Sequence, residues 1–368
     1  MKKVLYFSRG YSVHDQRFLN GLAGADFQPF FLRLEGDQRK NAELELPQNV
    51  EILPSLNGDQ KFTYGKAFQN VRELNQLIGE LNPGLIHAGP IQSCAFLSAL
   101  SGFKPLVSMS WGSDMLVESE KNWLIKQITS YSLKHSSVFL ADCETVKRKA
   151  VQFGFPPERV VTFPWGVDLH KFYPGRNDAL RNQLGWQEHF VLISNRSWEK
   201  IYGVEIIAGA FAEAVSLNPD LRLMLLGNGS LEKEINHILQ KKGVEKFVLL
   251  VGKVDHDDLI NYYQAADLYL SASYSDGSSV SLMEALACGL PALVSDISSN
   301  KEWIIPGKNG YLFRTGDADD LAHQIETVYQ NRGLLGEIQV AARQTAENKA
   351  NWQLNFQKLL DAYQMALN

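Results

Sequence analysis

The segment LYLSASYSDGSSVSLMEALACGLP, residues 268–291, decides the fold of this chain. The apolar run at 268–271 predicts a buried strand, and the Gly and Ser residues after it predict a turn. Ser278 or Ser279 is then placed to cap a helix, and Gly289 is typical of the residue that ends one. A further apolar run follows at once. This order predicts two parallel strands joined by a crossover helix.

The same alternation runs through the whole chain. Stretches with helical spacing separate most of the apolar runs, so the sequence predicts an α/β protein with parallel sheets covered on both faces. The predicted strands, in chain order, are 4–8, 30–34, 50–53, 85–88, 106–109, 138–141, 160–163, 190–193, 221–226, 247–251, 268–271, 292–294 and 311–313.

The length predicts two domains. A single core stops growing near ~250–300 residues, and this chain has 368. A stretch rich in Pro and Gly, residues 164–175, lies where the strand–helix pattern begins again, so we place the hinge there. The predicted domains are 1–168 and 169–350. A final helix, 351–368, is expected to fold back on the first domain.

Composition excludes several classes of protein. The net charge of −5 argues against a nucleic-acid partner, which requires a basic surface. Three widely spaced cysteines favour neither a disulfide framework nor a metal knuckle, and they fit a cytoplasmic protein. No apolar window reaches the ~20 residues of a membrane span. The first apolar run breaks at Arg9 and Gly10, which predicts a strand instead of a signal sequence.

The turn within 268–291 is a predicted anion site. Ligands of open α/β sheets bind at the carboxyl ends of the strands, where a helix that begins offers unpaired N–H groups. The backbone of Ser279 and Val280 is therefore expected to hold a phosphate, with Gly277 and Ser278 in the turn. Glu284, one helical turn later, could accept hydrogen bonds from a ribose. The alternative is that these are only capping, turn and solvated helix residues.

The segment resembles the signature of retaining glycosyltransferases of family 4, which have the GT-B fold. In that family two acids eight positions apart precede Ala-x-Ala-x-Gly-x-Pro, as Asp276 and Glu284 do here. The resemblance implies two doubly wound Rossmann-like domains that face each other across a cleft. It also implies that Glu284 holds the ribose and that the first acid lies beside the donor sugar. That acid is usually Glu, so the side chain of Asp276, one methylene shorter, is expected to shift which donor hydroxyls it meets.

Other pieces of the family pattern occur in the same order. Arg196 and Lys200 resemble the pair of cations that clamps the donor diphosphate, although the usual spacing is five residues and here it is four. Gly227 resembles the Gly-x-Gly turn after the next strand, and Val254 the backbone that lies against the base. A surface ion pair of Arg196 with Glu199 and a plain glycine turn are the alternatives.

The first domain resembles the family more loosely. Gly10 is the single glycine of the first strand–helix loop, which in the family lies near the phosphates and the acceptor. Trp111 stands where the family often has a His near the donor sugar. It can stack on a sugar ring but cannot act as a base. Asp114 then becomes the expected polar contact, and a packed aromatic is the alternative role for Trp111.

The function that the resemblance implies is transfer of a hexosyl group, with retention, from a UDP-sugar to a hydroxyl of a glycan or glycolipid, in polysaccharide or glycoconjugate biosynthesis. The departing diphosphate takes the proton, and neither a metal nor a further cofactor is required. A GT-B sugar-nucleotide 2-epimerase and a catalytically silent sugar-nucleotide-binding subunit are the alternatives.

An exposed helix suggests a membrane partner. Trp123 lies near Lys121, Lys126 and Lys134, so this helix could bind an anionic membrane that carries a lipid-linked acceptor, at the inner face of the membrane. An ordinary surface helix is the alternative.

Overall fold

The computed structural model describes residues 2–36 and 47–368. The chain forms two compact units: the described residues through Trp165 together with Gln353–Asn368, and Gly166–Trp352. The first boundary falls inside the stretch where the sequence places the hinge. Gly166 is at this boundary with a φ of +73°, and a Cβ there would lie 2.9 Å from the carbonyl oxygen of Ala350. This close backbone approach requires glycine.

The first unit contains a parallel sheet of seven strands in the order β3-β2-β1-β4-β5-β6-β7. Its strands are β1 Lys2–Ser8, β2 Phe27–Arg33, β3 Glu51–Ile52, β4 Leu85–Ala88, β5 Leu106–Met109, β6 Val138–Ala141 and β7 Val160–Thr162. Each of them overlaps one of the predicted strands.

The second unit contains a parallel sheet of six strands in the order β10-β9-β8-β11-β12-β13. Its strands are β8 Phe190–Ser194, β9 Leu221–Leu226, β10 Val248–Gly252, β11 Leu268–Ser271, β12 Ala292–Ser295 and β13 Gly310–Phe313. These also overlap the predicted strands one by one.

Helices connect the strands. Among the described residues they are α1 Val13–Ala23, α2 Ala67–Leu81, α3 Phe96–Ser101, α4 Ser113–Leu116, α5 Trp123–His135, α6 Glu144–Gln152, α7 Asp178–Leu184, α8 Val204–Leu217, α9 Glu232–Lys242, α10 Leu259–Tyr263, α11 Val280–Ala287, α12 Ala318–Gln330, α13 Leu335–Lys349 and α14 Trp352–Leu367. Over these same residues, no helix combines the length and the apolar character that crossing a bilayer requires.

Strand β8 is continuously apolar in sequence because both of its faces are covered. Phe190 and Leu192 belong to one apolar cluster, whereas Val191 and Ile193 belong to another. Successive side chains of a strand point to opposite faces of the sheet, so each face of β8 packs against its own layer of helices. The strand is therefore buried on both sides.

The strand order places a topological switch point in each sheet. In the second unit the chain runs from β8 through β9 to β10 on one side, and then returns to β11 on the other side of β8. In the first unit β1 and β4 are related in the same way. The loops that leave two such strands diverge and open a crevice at the carboxyl end, where α/β proteins bind ligands.

Helix α14 packs on the first unit. The Tyr363 hydroxyl lies 2.7 Å from Nδ1 of His87, a fully buried residue of β4. Asn355 Nδ2 donates to the carbonyl oxygen of Pro164 at 3.0 Å. Burial lowers the pKa of His87 to about 3, so this histidine is a neutral, hydrogen-bonded core residue.

Candidate active site

Arg196 lies at the centre of the switch point of the second unit. It follows β8, and its guanidinium bonds to the loop and helix that follow β11. Nη2 donates to Asp276 Oδ2 at 2.7 Å, and Nη1 donates to Ser279 Oγ at 2.7 Å and to Ser281 Oγ at 3.0 Å. The two loops that diverge from the neighbouring strands are thus joined through one cation. A guanidinium has five N–H donors, and within the described residues these bonds use three of them.

The loop that carries Arg196 is shaped by aromatic and glycine contacts. The guanidinium lies over the ring of Tyr202 at 4.1 Å, a cation–π arrangement. Gly227, after β9, has a φ of +98°, and a Cβ at this position would lie 2.9 Å from the Arg196 carbonyl oxygen. Only glycine permits both the left-handed backbone and this approach. Gly227 therefore lets the backbone after β9 pack directly against the backbone of Arg196.

Helix α11 begins at the same point. Ser279 is its N-cap, and the Ser279 hydroxyl accepts from the Leu282 N–H. Val280 is the first helical residue, so the N–H groups of the first turn have no partner within the helix ladder. Ser278 is buried, and its hydroxyl accepts from Trp303 Nε1 at 3.3 Å. Gly277 donates its backbone N–H to the carboxylate of Asp276. The predicted anion site therefore has a helix N-terminus and a cation side by side.

Asp276 is the acid of this group. Burial raises its pKa above the usual value, and the charge of Arg196 opposes that shift. The two side chains form a half-buried ion pair. The carboxylate thus offsets part of the positive charge of Arg196, from which it lies 2.7 Å away.

Glu284 lies on α11, one helical turn after Val280, and is only 2% exposed. His256 Nε2 lies 2.8 Å from its Oε1, and the Tyr263 hydroxyl donates to its Oε2 at 3.0 Å. Burial raises the pKa of Tyr263 well above the usual value, and the nearby Glu284 raises it further, so the phenol keeps its proton and donates. The carboxylate is thereby held by one neighbour on each oxygen.

Two further predicted residues lie around this group. Lys200 is exposed at the start of a 3₁₀ turn, and no hydrogen bond or ion pair within the described part of the chain joins it to Arg196. Burial raises the pKa of Glu205, and the charge of Lys200 is among the influences that oppose that shift. Val254 follows β10 and lines a cavity of about 570 Å³ with Asn177 and Tyr262.

The residues predicted in the first unit follow β1 and β5. Gly10 is in the loop after β1, and a Cβ there would meet no atom within 4 Å. Trp111 follows β5, and its ring lies 5.7 Å from that of His14 on α1. These two loops leave strands that are separated by β4 alone. Trp111 is half-buried, which leaves part of the indole open to a ligand.

The expected ligand contact of Asp114 needs correction. Its side chain is only 3% exposed, and burial raises its pKa. Four donors occupy the carboxylate: the backbone N–H groups of Ile91, Trp111 and Met115, and the hydroxyl of Ser110. A carboxylate bonded in this way holds the loop after β5 in shape. Asp114 therefore positions Trp111 instead of offering a free polar group.

Sequence reasoning missed Lys171 and His256 as members of the site. In the turn at 255–258 the Asp257 side chain is 94% exposed, but His256 is half-buried against Glu284. A histidine in the loop after β10, four residues beyond the strand end, was the available signal. Its spacing to Glu284 along the chain predicts no contact. Among the described residues, no group of three or more His, Cys, Asp and Glu side chains is arranged to hold a metal ion.

Comparison with known proteins bears on both units. Residues 177–349 match the family described as "Glycosyl transferases group 1", and residues 3–143 match the family described as "Glycosyl transferase 4-like". Together the two matches cover most of both units.

Curated relatives match part of the chain. Alpha-monoglucosyldiacylglycerol synthase from Acholeplasma laidlawii is 27% identical over 181 residues, which are 48% of this chain and 45% of the relative. D-inositol 3-phosphate glycosyltransferase from Rhodococcus erythropolis is 25% identical over 222 residues, 58% of this chain and 50% of the relative. The chain thus spans about half the length of the curated relatives it matches.

Solved structures match the whole chain. HepE from Anabaena, crystallised with UDP-glucose, superposes with a TM-score of 0.83 at 20% identity and covers 99% of this chain and 100% of that one. At this identity the likeness establishes the fold, which is GT-B as predicted.

Proposed function

Because the chain belongs to glycosyltransferase family 4 and has the GT-B fold, we propose that it transfers a hexosyl group from a UDP-sugar to a hydroxyl of a glycan or glycolipid, with retention at the anomeric carbon. The second unit binds the donor in this proposal, and the first unit binds the acceptor.

The observation that carries the proposal is the arrangement at the switch point between β8 and β11. Arg196 bonds to Ser279, the N-cap of α11, and Glu284 follows five residues later on the same helix. A cation beside unpaired N–H groups suits a diphosphate, and a buried carboxylate one turn further suits two vicinal hydroxyls. The diphosphate and the ribose that these groups suit are neighbouring parts of a nucleoside diphosphate.

In the proposed reaction the protein holds the donor and the acceptor in position and stabilises the charge that develops on the leaving group. The acceptor oxygen bonds to the anomeric carbon on the face from which the diphosphate departs. The acceptor proton passes to the departing diphosphate oxygen. Arg196 stabilises the charge that develops on that oxygen, and Lys200 adds a second cation once the donor is bound. Asp276 lies beside the donor sugar.

The comparisons support the choice of donor and of acceptor class. HepE was crystallised with UDP-glucose, and the relative from Acholeplasma laidlawii is named for a glycolipid product. A lipid-linked acceptor would place the protein at the inner face of the cytoplasmic membrane, in glycoconjugate or polysaccharide biosynthesis.

The test combines binding with product analysis. Calorimetry with UDP measures the donor site, and mass spectrometry measures products formed from UDP-sugars with glycan and glycolipid acceptors. We expect saturable UDP binding and a product one hexose heavier than the acceptor. The NMR coupling constant of the anomeric proton in this product should show retention. Formation of an epimeric UDP-sugar without acceptor would instead identify an epimerase. Binding of UDP with no turnover of any donor would identify a silent subunit.

The Asp276→Asn variant is expected to bind UDP about fivefold more tightly, since a partly screened charge near a protein surface contributes roughly 1 kcal/mol. The substitution removes the negative charge beside the diphosphate and releases Arg196 from its ion pair. Calorimetry with UDP measures the effect. Asp178→Asn is the matched control, because Asp178 forms an exposed ion pair with Arg176 of the same 2.7 Å length. Equal or weaker binding by Asp276→Asn would contradict the proposed place of this acid.

The membrane contact has its own test. Trp123 is 74% exposed at the start of α5, next to the half-exposed Leu124 and one turn before Lys126. A large exposed apolar side chain beside cations suits the surface of an anionic bilayer. We expect the protein to float with liposomes that contain anionic lipid, and Trp123→Ala with Lys126→Ala to reduce the bound fraction about tenfold.

The control for this experiment is Leu217→Ala, which removes an apolar side chain that is 76% exposed at the end of α8. This variant is expected to float like the unmodified protein. If the unmodified protein does not float with anionic liposomes, the membrane contact is wrong, whereas the transferase proposal is unaffected.

A further inference from the structure

Three segments that are distant in sequence converge on Glu284. Lys171 follows the boundary of the second unit, and its Nζ lies 2.8 Å from His256 Nδ1. His256, after β10, places its Nε2 2.8 Å from Glu284 Oε1 on α11. The ring of Phe172 meets the imidazole edge-on at 5.4 Å. Because Phe172 is fully buried, it fixes the plane of the imidazole.

The partners of His256 determine its tautomer. A lysine ammonium has three donors and no lone pair, so His256 Nδ1 must be the acceptor of the bond from Lys171. An imidazole that accepts at Nδ1 carries its proton at Nε2. Nε2–H therefore donates to Glu284. Asp257 also bonds to the Lys171 ammonium, at 2.5 Å, and keeps the lysine beside the imidazole.

This chain of hydrogen bonds prepares the carboxylate for a particular ligand. An ionised carboxylate has about four lone-pair positions, two on each oxygen. His256 takes one position on Oε1, and Tyr263 takes one on Oε2. Within the part of the chain that the structure describes, one acceptor position therefore remains on each oxygen. Two parallel acceptors match two vicinal hydroxyls of a ribose, provided that the carboxylate does not rotate.

We propose that His256 is a positioning residue, held in its Nε2–H tautomer by Lys171, that fixes the rotation of the Glu284 carboxylate for the 2′- and 3′-hydroxyls of the donor ribose. The proposal rests on the proposed function, since it assigns a ribose to Glu284. His256 touches neither the sugar nor the reacting atoms, so it acts on donor affinity and leaves the chemical step alone.

The first experiment measures UDP affinity by calorimetry. Loss of a hydrogen bond to a charged group weakens binding about tenfold, which is the expected effect of His256→Ala. His256→Gln is expected to stay within about threefold of the unmodified protein, because an amide can accept from Lys171 and donate to Glu284. In turnover assays His256→Ala should raise the donor KM and leave kcat unchanged within about twofold. His237→Ala, an exposed histidine on α9, is the control and should change neither quantity.

A second ligand separates positioning from general structure. 2′,3′-Dideoxyuridine diphosphate lacks both hydroxyls, so the unmodified protein and His256→Ala should bind it with equal affinity. A His256→Ala penalty of the same size for both nucleotides would overturn the proposal, as would unchanged UDP affinity in a folded His256→Ala variant. The proposed function would stand in either case.

The tautomer is measured without any nucleotide. Long-range ¹H–¹⁵N spectra should show His256 protonated at Nε2 and unprotonated at Nδ1, with the signal assigned by its loss in His256→Gln. Lys171→Met should abolish this single tautomer. A proton on Nδ1 in the unmodified protein would overturn the inference. If the unmodified protein binds no UDP, the proposed function fails, and the ribose role of His256 fails with it even where the tautomer is as expected.

Discussion

Replacing Glu284 with alanine is expected to weaken UDP binding by about 100-fold or more, because truncating one partner of a buried, hydrogen-bonded charge costs ~2–5 kcal/mol. The carboxylate is buried on α11 and is the acidic group that we assign to the ribose hydroxyls. Its loss removes both hydroxyl contacts at once. Calorimetry with UDP measures the change.

A control variant and a folding check show whether the loss of UDP affinity is due to Glu284 itself. Glu337→Ala removes an exposed carboxylate of the same unit and should leave UDP affinity unchanged. Because Glu284→Ala leaves His256 Nε2 without its acceptor and removes one of the two acceptors of the Tyr263 hydroxyl, we expect a lower Tm, so each variant is first checked for folding at the assay temperature. A folded Glu284→Ala protein that binds UDP within threefold of the unmodified protein would remove Glu284 from the donor site.

Replacing Arg196 with alanine is expected to lower kcat by about 100- to 1000-fold, which is the effect of removing one preorganised donor from a developing negative charge. In the proposed reaction the charge grows on the departing diphosphate, so the guanidinium contributes more in the transition state than in the bound donor. UDP affinity should fall less, by about tenfold. Release of UDP during turnover measures kcat.

Arg314→Ala is the control for the Arg196 result. Arg314 also pairs with acids, Asp317 and Asp320, but it is largely exposed and lies outside the switch point, so kcat should not change. Arg196→Lys keeps a charge and loses the forked geometry that joins Asp276 to Ser279 and Ser281, and it should recover only part of the rate. If Arg196→Ala kept its kcat within threefold, the leaving-group role would be wrong.

The fold could be predicted from the sequence because its signals are local. A strand buried on both faces needs a continuous apolar run, as in β8, and each predicted strand overlaps an observed one. Ser279 and Gly289 also act locally: the first caps α11, and the second ends it with a φ of +68°. The spacing of Asp276 and Glu284 placed the first acid in the turn before α11 and the second within that helix.

The partners of the site residues could not be predicted in this way. Arg196 bonds to Asp276 across 80 residues of sequence, and His256 lies beside Glu284 across 28. Such contacts depend on which strands are neighbours in the sheet and on how the loops after them pack. The four donors around Asp114 likewise come from two separate segments, Ile91 and residues 110–115, and they turned an expected ligand contact into a structural residue.

The sequence by itself thus determined the two α/β units, the turn from Asp276 to Ser279 and the helix that presents Glu284, because periodicity, capping and glycine conformations act over a few residues. The tertiary structure alone decided that Asp276 neutralises Arg196 and that Lys171, through His256, orients Glu284. The physical reason is that hydrogen bonds have a reach of about 3 Å, and only the register of parallel strands brings the side chains of distant segments within that distance.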